Sequence, residues 1–372
     1  VIGVYHRVWS SPTNPHVQAE GRAKEVCGRL GIPFISIDIT EEFRTRIIED
    51  FVREYGEGLT PNPCVLCNEQ IKFGLFPRLV RRHFEEEGLV DRGERLYTAT
   101  GHYVRLIERE GRTLLRRGVD RQKDQSYMLY RVEPEILESC VFPLGDYEKS
   151  AVVEMAGELG LPTASVGESQ DICFVEDGDY IDYIEEYLRT HGGDRVPLKW
   201  DVRTPGPIVD SAGRRLGTHR GYMHYTVGQR QGLGLSNGPW YVAALDAHRN
   251  VVTVKRREEM GRSRFSVGGF TLKLPRLLAE EFEAHVRVRY NSRPVPCRVL
   301  PSGAAGGAGR DREGAARAAG AREESARSAD APKKGARAEI LLYEPAVITP
   351  GQSAVLYDRD VVLGGGFILP GE

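Results

Sequence analysis

The sequence predicts an α/β protein whose first half is a parallel sheet covered by helices and whose second half is mainly β. Two observations carry this. Apolar, β-branched runs alternate with helical patterns through the first 160 residues or so, and after about residue 190 short β-rich runs broken by Gly and Pro replace them. Residues 1–5 read as a strand, and residues 16–30 as a helix that Gly31 ends. Residues 33–39 form the next predicted strand and 41–55 the next helix. Then come a helix over 71–87, a strand over 97–101 and a helix over 149–159 stopped by Gly160. Ligands of such sheets sit beyond the carboxyl ends of the strands. In the second half the expected strands are 240–245, 251–255, 283–289 and 340–343.

Residues 301–337 interrupt that half. They hold 12 Ala and 7 Gly and no aromatic, Ile, Leu, Val or Met, so they cannot bury enough surface to offset their ordering entropy. A disordered, solvated loop is expected there. The remaining composition fits a folded protein: 372 residues are two or three domains' worth of chain, 40% hydrophobic and 28% charged. No apolar run is long enough for a membrane helix, so a cytoplasmic protein is expected. A net charge of -2 excludes a uniformly basic nucleic-acid binder, and any polyanion site must be a local patch. Six cysteines in so long a chain are too sparse for a disulfide scaffold, which leaves redox or metal chemistry as their use.

Cys64-Val65-Leu66-Cys67 follows Thr60-Pro61-Asn62-Pro63, placing two thiols one turn apart just before a predicted helix. A helix N-terminus favours the thiolate, whether as nucleophile or metal ligand. Structural zinc would need a second close pair, and Cys27, Cys140 and Cys297 are isolated. Cys173, flanked by Ile172 and Phe174, reads by itself as a core cysteine. Lys123-Asp124-Gln125 could orient a phosphate and a base edge, or simply start a helix. Thr100-Gly101-His102-Tyr103 ends a predicted strand, where Gly101 permits close approach to a ligand. The glycine-rich 228–234 segment matches no nucleotide fingerprint, and Arg289-Tyr290 offers a guanidinium and a stacking ring of the kind used on single-stranded RNA.

Taken together these strings resemble the tRNA-specific 2-thiouridylase (MnmA) family. The resemblance runs in order through Thr60-Pro61-Asn62-Pro63, Cys67-Asn68-Glu69-Gln70-Ile71-Lys72-Phe73, Ala99-Thr100-Gly101-His102-Tyr103, Lys123-Asp124-Gln125-Ser126-Tyr127, Phe142-Pro143-Leu144-Gly145 and Ile172-Cys173-Phe174. It continues in Tyr225-Thr226-Val227-Gly228-Gln229-Arg230, Pro239-Trp240-Tyr241-Val242, Arg289-Tyr290 and Thr349-Pro350-Gly351-Gln352. It implies an ATP-pyrophosphatase-type catalytic domain over 1–188, a small central domain over 189–258 and a C-terminal β-barrel over 259–372. It also implies ATP with Mg2+ and 2-thiolation of the wobble uridine, U34, in a tRNA anticodon arm, with sulfur from a persulfide donor protein. A monomer is expected. By position, Cys67 is the implied nucleophile, able to close a disulfide, and Cys173 the persulfide carrier. Asn62, Pro63 and Cys64 would meet the target base. His6 and Gly101 would touch ATP, and His102, Lys123, Asp124, Gln125, Arg289, Tyr290 and Gln352 would touch tRNA.

Two departures shape these expectations. The family's Ser-Gly-Gly-x-Asp-Ser phosphate loop belongs ahead of Val1, so a chain truncated relative to the working protein is expected, the alternative being a tRNA-binding relative without ATP chemistry. Cys64 stands where better-known members carry Asp, and with Cys67 and Cys173 it could ligate a [4Fe-4S] cluster.

Overall fold

A computed structural model describes residues 1–8, 15–161, 172–175, 179–193, 195–302 and 335–371. The chain divides into two compact units, Val1–Glu49 with Pro63–Tyr183, and Asp50–Asn62 with Ile184–Glu372.

In the first unit, strand β1 (Gly3–Arg7) pairs in parallel with β2 (Phe34–Asp38), crossing through helix Pro15–Leu30. Gly3 is required there, because a Cβ on it would lie 2.2 Å from the sulfur of Cys27 on that helix. A second parallel pair joins β3 (Thr98–Ala99) to β6 (Cys140–Val141). Between them runs an antiparallel hairpin, β4 (Val104–Arg109) and β5 (Arg112–Arg117), whose turn residues Glu110 and Gly111 both have positive φ. The helix predicted over 71–87 begins earlier, at Pro63. It runs as Pro63–Leu66, widens into a π-helical stretch over Cys67–Leu75 and ends as Phe76–Glu86. Ile39, Ile47, Ile48, Val65, Ile71, Val104, Leu114 and Tyr127 form the interior of this unit.

The second unit holds a four-stranded sheet and a closed barrel. The sheet comprises β7 (Gly206–Val209), β8 (Arg215–His219), β9 (Tyr241–Asp246) and β10 (Val251–Lys255) in the order β8-β7-β10-β9. The barrel comprises β11 (Arg262–Leu272), β12 (Phe282–Arg287), β13 (Val295–Pro301), β14 (Ala338–Ala346), β15 (Ser353–Asp358) and β16 (Val361–Ile368). Its order is β11-β14-β13-β12-β15-β16, with β16 pairing back to β11 so that no edge remains. Strands β13 and β14 meet at Pro301 and Ala338. Of the expected disordered loop between them, residues 303–334 lie outside the described residues.

Candidate active site

The two thiols of the Cys-x-x-Cys segment are presented by a helix start that several contacts hold in place. Pro63 opens the helix, a position where its missing N–H leaves no bond unmade, and Val65 and Leu66 are buried. The i, i+3 spacing puts Cys64 and Cys67 on one face. The next two residues anchor the run: Asn68 Nδ2 donates to the Met128 carbonyl at 3.0 Å, and the buried Arg131 guanidinium donates to Glu69 Oε2 at 2.6 Å.

Cys173 is seated by its neighbour. Phe174, 2% exposed, packs edge-on against Phe43 at 5.8 Å and against Tyr183 at 5.3 Å between ring centroids, while Val175 N–H donates to the Ile172 carbonyl to close the turn. The sulfur beside that anchor is therefore held in a fixed place. All six cysteines are free thiols.

The three sulfurs are electrostatically linked to one another and to Lys72. Burial pushes the Cys67 thiol up to about 12. The Lys72 ammonium pulls it back, and the charges of Cys173 and Cys64 push it up further. Burial likewise raises Cys173 to about 11, with Cys64 adding to the rise and Lys72 opposing it. Cys64 is raised by burial against the pull of Lys72. All three sulfur pairs thus lie within electrostatic reach, and one cation acts on all of them. Cys64 and Cys173 keep solvent-exposed surface although burial dominates their titration. At neutral pH about one Cys173 in 10⁴ is a thiolate, so the resting sulfurs are protonated.

His102 stands by the same cation. Its ring packs on Phe73 at 5.7 Å and Phe142 at 6.2 Å, and its Nδ1 meets Thr100 Oγ1 at 2.8 Å. Burial, with the Lys72 charge, pushes it down to about 3, so the imidazole is neutral. Gly101 is exposed just beyond the carboxyl end of β3, and a Cβ there would meet only Leu144 Cδ1, at 3.6 Å. His6 lies on β1 with its ring 5.3 Å from Phe76. The adjacent Tyr5 is raised mainly by burial and carries a smaller push from Cys173.

The Lys123-Asp124-Gln125 row is built into a turn. Asp124, 2% exposed, accepts from Gly118 N–H, Ser126 N–H, Ser126 Oγ–H and Arg117 Nε–H. Gln125 exchanges bonds with the backbone of Tyr103 in both directions. Lys123 is half-buried, and its N–H donates to Asp120 Oδ1 at 3.1 Å.

In the second unit, Asn62 is buried at the end of a segment gripped by the 349–352 loop. Thr60 N–H donates to the Pro350 carbonyl, and Gln352 Nε2 donates to the carbonyls of Thr60 and Pro61, each at 3.1 Å. Position 351 calls for glycine, since its φ is 90° and a Cβ there would come within 2.7 Å of the Thr60 oxygen. Arg289 donates from Nη2 to the Val227 carbonyl at 2.7 Å and from Nε to Thr349 Oγ1 at 3.0 Å, and Tyr290 beside it is half-buried. The glycine-rich segment makes room for this guanidinium, since a Cβ on Gly228 would stand 2.9 Å from Arg289 Nη2.

Sequence reasoning missed Lys72. It lies five residues after Cys67, an offset that separates the two on an α-helix but stacks them one turn apart in the i→i+5 register of the Cys67–Leu75 stretch. The available signal was Gly74, where a Cβ would lie 2.6 Å from the Glu69 carbonyl oxygen. A tight backbone approach at a five-residue offset marks the wide turn.

Among the described residues no three His, Cys, Asp or Glu side chains gather closely enough to hold a metal ion. The sulfurs as they stand do not form a three-point ligand set, and no chemical step is routed through iron.

Comparison with known proteins fits this architecture. The chain matches family models described as "tRNA methyl transferase HUP domain" over residues 1–177, "tRNA methyl transferase PRC-barrel domain" over 199–256 and "Aminomethyltransferase beta-barrel domain" over 323–368. The first half thus has the nucleotide α-hydrolase-like fold, followed by a central domain and a barrel. It is 38% identical to tRNA-specific 2-thiouridylase MnmA 2 of a Thermoanaerobacter species, over 99% of this chain and 90% of the relative. It is 40% identical to MnmA of Chloroflexus aurantiacus over 94% and 84%, and 38% identical to MnmA of Syntrophotalea carbinolica over 99% and 91%. At such identity over nearly its whole length, the chain belongs to the tRNA-specific 2-thiouridylase MnmA family.

Proposed function

We propose that the protein transfers sulfur to C2 of the wobble uridine of tRNA at the expense of ATP. The observation that carries this reading is the meeting of Cys67 and Cys173, 106 positions apart in sequence, within electrostatic reach of each other. The uridine C2 oxygen attacks the α-phosphorus of Mg2+-ATP and releases pyrophosphate, which turns a poor leaving group into AMP. The terminal sulfur of a Cys173 persulfide, loaded by a donor protein, then attacks C2 and expels AMP. Cys67, as thiolate, attacks the Cys173 sulfur: the S–S bond to the base breaks, its electron pair stays on the base as the 2-thio group, and a Cys67–Cys173 disulfide forms. A thiol reductant then restores both cysteines.

In this reading the domains run over 1–188, 189–258 and 259–372, and the protein acts as a cytoplasmic monomer. Asn62, Pro63 and Cys64 face the target base, which leaves its stack to reach them. His6 and Gly101 touch ATP, while His102, Lys123, Asp124, Gln125, Arg289, Tyr290 and Gln352 form the tRNA side. Proximity is what makes the buried sulfurs effective, since burial leaves so little of either as thiolate. The test is ATP-dependent formation of 2-thiouridine in tRNA by the full-length protein with a persulfide donor. Wild type forms it and Cys173→Ser does not, while tRNA affinity changes by less than about 0.5 kcal/mol because phosphate contacts dominate it. Full turnover by Cys173→Ser would remove this mechanism.

A further inference from the structure

The stretch that begins at Cys67 carries an ionisable group that the sequence motif gives no task. Lys72 is half-buried, one π-helical turn from Cys67, and makes no ion pair among the described residues. The neighbouring acid that might have neutralised it, Glu69, is taken by Arg131 at 2.6 Å. The residue after it, Phe73, is packed against His102 and Phe142 and 2% exposed, so the stretch that bears the lysine is fixed. Its charge reaches Cys64, Cys67, Cys173 and His102. The group nearest in type, His102, is held neutral and adds no positive charge.

We propose that Lys72, one π-helical turn from Cys67, is the charge-compensating residue of the thiol site, whose ammonium holds the anionic sulfur, be it thiolate, persulfide or hydrosulfide, as it passes between Cys173, Cys67 and the substrate. The proposal deepens the sulfur-transfer reading and rests on it. Every sulfur species in that sequence is reactive only as an anion, and the burial that raises all three thiols penalises each of them. A fixed cation with no carboxylate of its own offsets that penalty without competing for the sulfur. The cation also sits beside His102 and so disfavours a second positive charge there, which keeps the imidazole from protonating the nucleophile.

The test reads the local field directly. Full-length wild type and Lys72→Gln are alkylated at one fixed pH with iodoacetate, which is anionic, and with iodoacetamide, which is neutral. Rates at Cys67 and Cys173 are resolved by peptide mass spectrometry. A change in shape or accessibility moves both reagents together, whereas loss of a nearby cation lowers the iodoacetate-to-iodoacetamide ratio, here by about tenfold. Lys72→Arg keeps the ratio within about twofold, and Lys72→Met, which preserves the aliphatic stem, reproduces the drop should Lys72→Gln fold poorly. An unchanged ratio in the folded Gln or Met variant overturns the proposal. Wild type that shows the ratio but forms no 2-thiouridine would instead reject the sulfur-transfer reading and leave the charge assignment standing.

Discussion

Replacing Phe174 with alanine removes the ring that seats Cys173, and its effect can be worked from the geometry. Phe174 is 2% exposed and contacts Phe43 and Tyr183, so deleting it costs about 3–5 kcal/mol of packing where the surroundings cannot collapse. The Cys173 turn is then free to move further into solvent. Burial is the main reason its thiol stands at about 11 rather than the ordinary 9.0. Release returns it toward that value, a change of about two pH units, equivalent to about 2.7 kcal/mol and up to a hundredfold in thiolate population at neutral pH. The packing loss is sufficient to drive it. The assay is the pH dependence of iodoacetamide reaction at Cys173 in wild type and Phe174→Ala, with Cys297, buried in the barrel, as an unreactive internal reference. The variant reacts faster at neutral pH, with its apparent pKa shifted down. A Cys173 profile identical to wild type in a folded Phe174→Ala protein would refute the claim that this ring holds the sulfur in a desolvated place.

Two further outcomes follow from named groups. His102 is held neutral to about pH 3 in the folded state but titrates near 6.5 when unfolded. The unfolded state therefore binds the extra proton first, and the stability in question is full above pH 6.5 and lost as pH falls toward 3, at up to about 1.4 kcal/mol per pH unit. Denaturant unfolding of wild type at pH 7 and pH 5 shows up to about 2 kcal/mol of loss that His102→Gln lacks, and equal losses in both would contradict the assignment. Lys123→Ala weakens tRNA binding and lowers the slope of log affinity against log salt by about one unit. A slope equal to wild type would mean that this side chain meets no phosphate.

The alternation of strand and helix in the first half is legible in the sequence because β-branched runs and Gly stops punctuate it. β1, β2 and the helices Pro15–Leu30 and Lys149–Glu158 fall within one or two residues of expectation. The β4–β5 hairpin was not legible. Its turn places Glu110 at φ 53°, a conformation favoured by Asn or Gly, and its strands carry five arginines rather than an alternating apolar pattern. The long barrel strands β11 and β16 were also missed, since Gly268, Gly269 and the 364–366 glycines read as breaks. They are close approaches: a Cβ on Gly364 would lie 2.0 Å from the Thr271 oxygen across the β11–β16 closure.

At the site, Cys67 stood out by its Cys-x-x-Cys spacing. Cys173 on local grounds reads as a core residue and gains its meaning only from the ordered resemblance, while the structure leaves its surface exposed. Lys72 went unread because its proximity to Cys67 depends on helix register, a property that spacing rules for α-helices do not encode and that only Gly74 marked.

The central claim is that Cys67 and Cys173 act as one pair on one sulfur atom. The direct measurement is a single turnover with sulfur-labelled persulfide on the full-length protein, followed by mass spectrometry of the cysteine peptides and of the tRNA. The account predicts label on Cys173 before ATP and tRNA are added. After turnover it predicts label in tRNA as free 2-thiouridine, with a Cys67–Cys173 disulfide in wild type, and label trapped in a disulfide adduct between Cys173 and the tRNA base in Cys67→Ser. Free labelled 2-thiouridine formed equally well in Cys67→Ser, or label that never resides on Cys173, would contradict it.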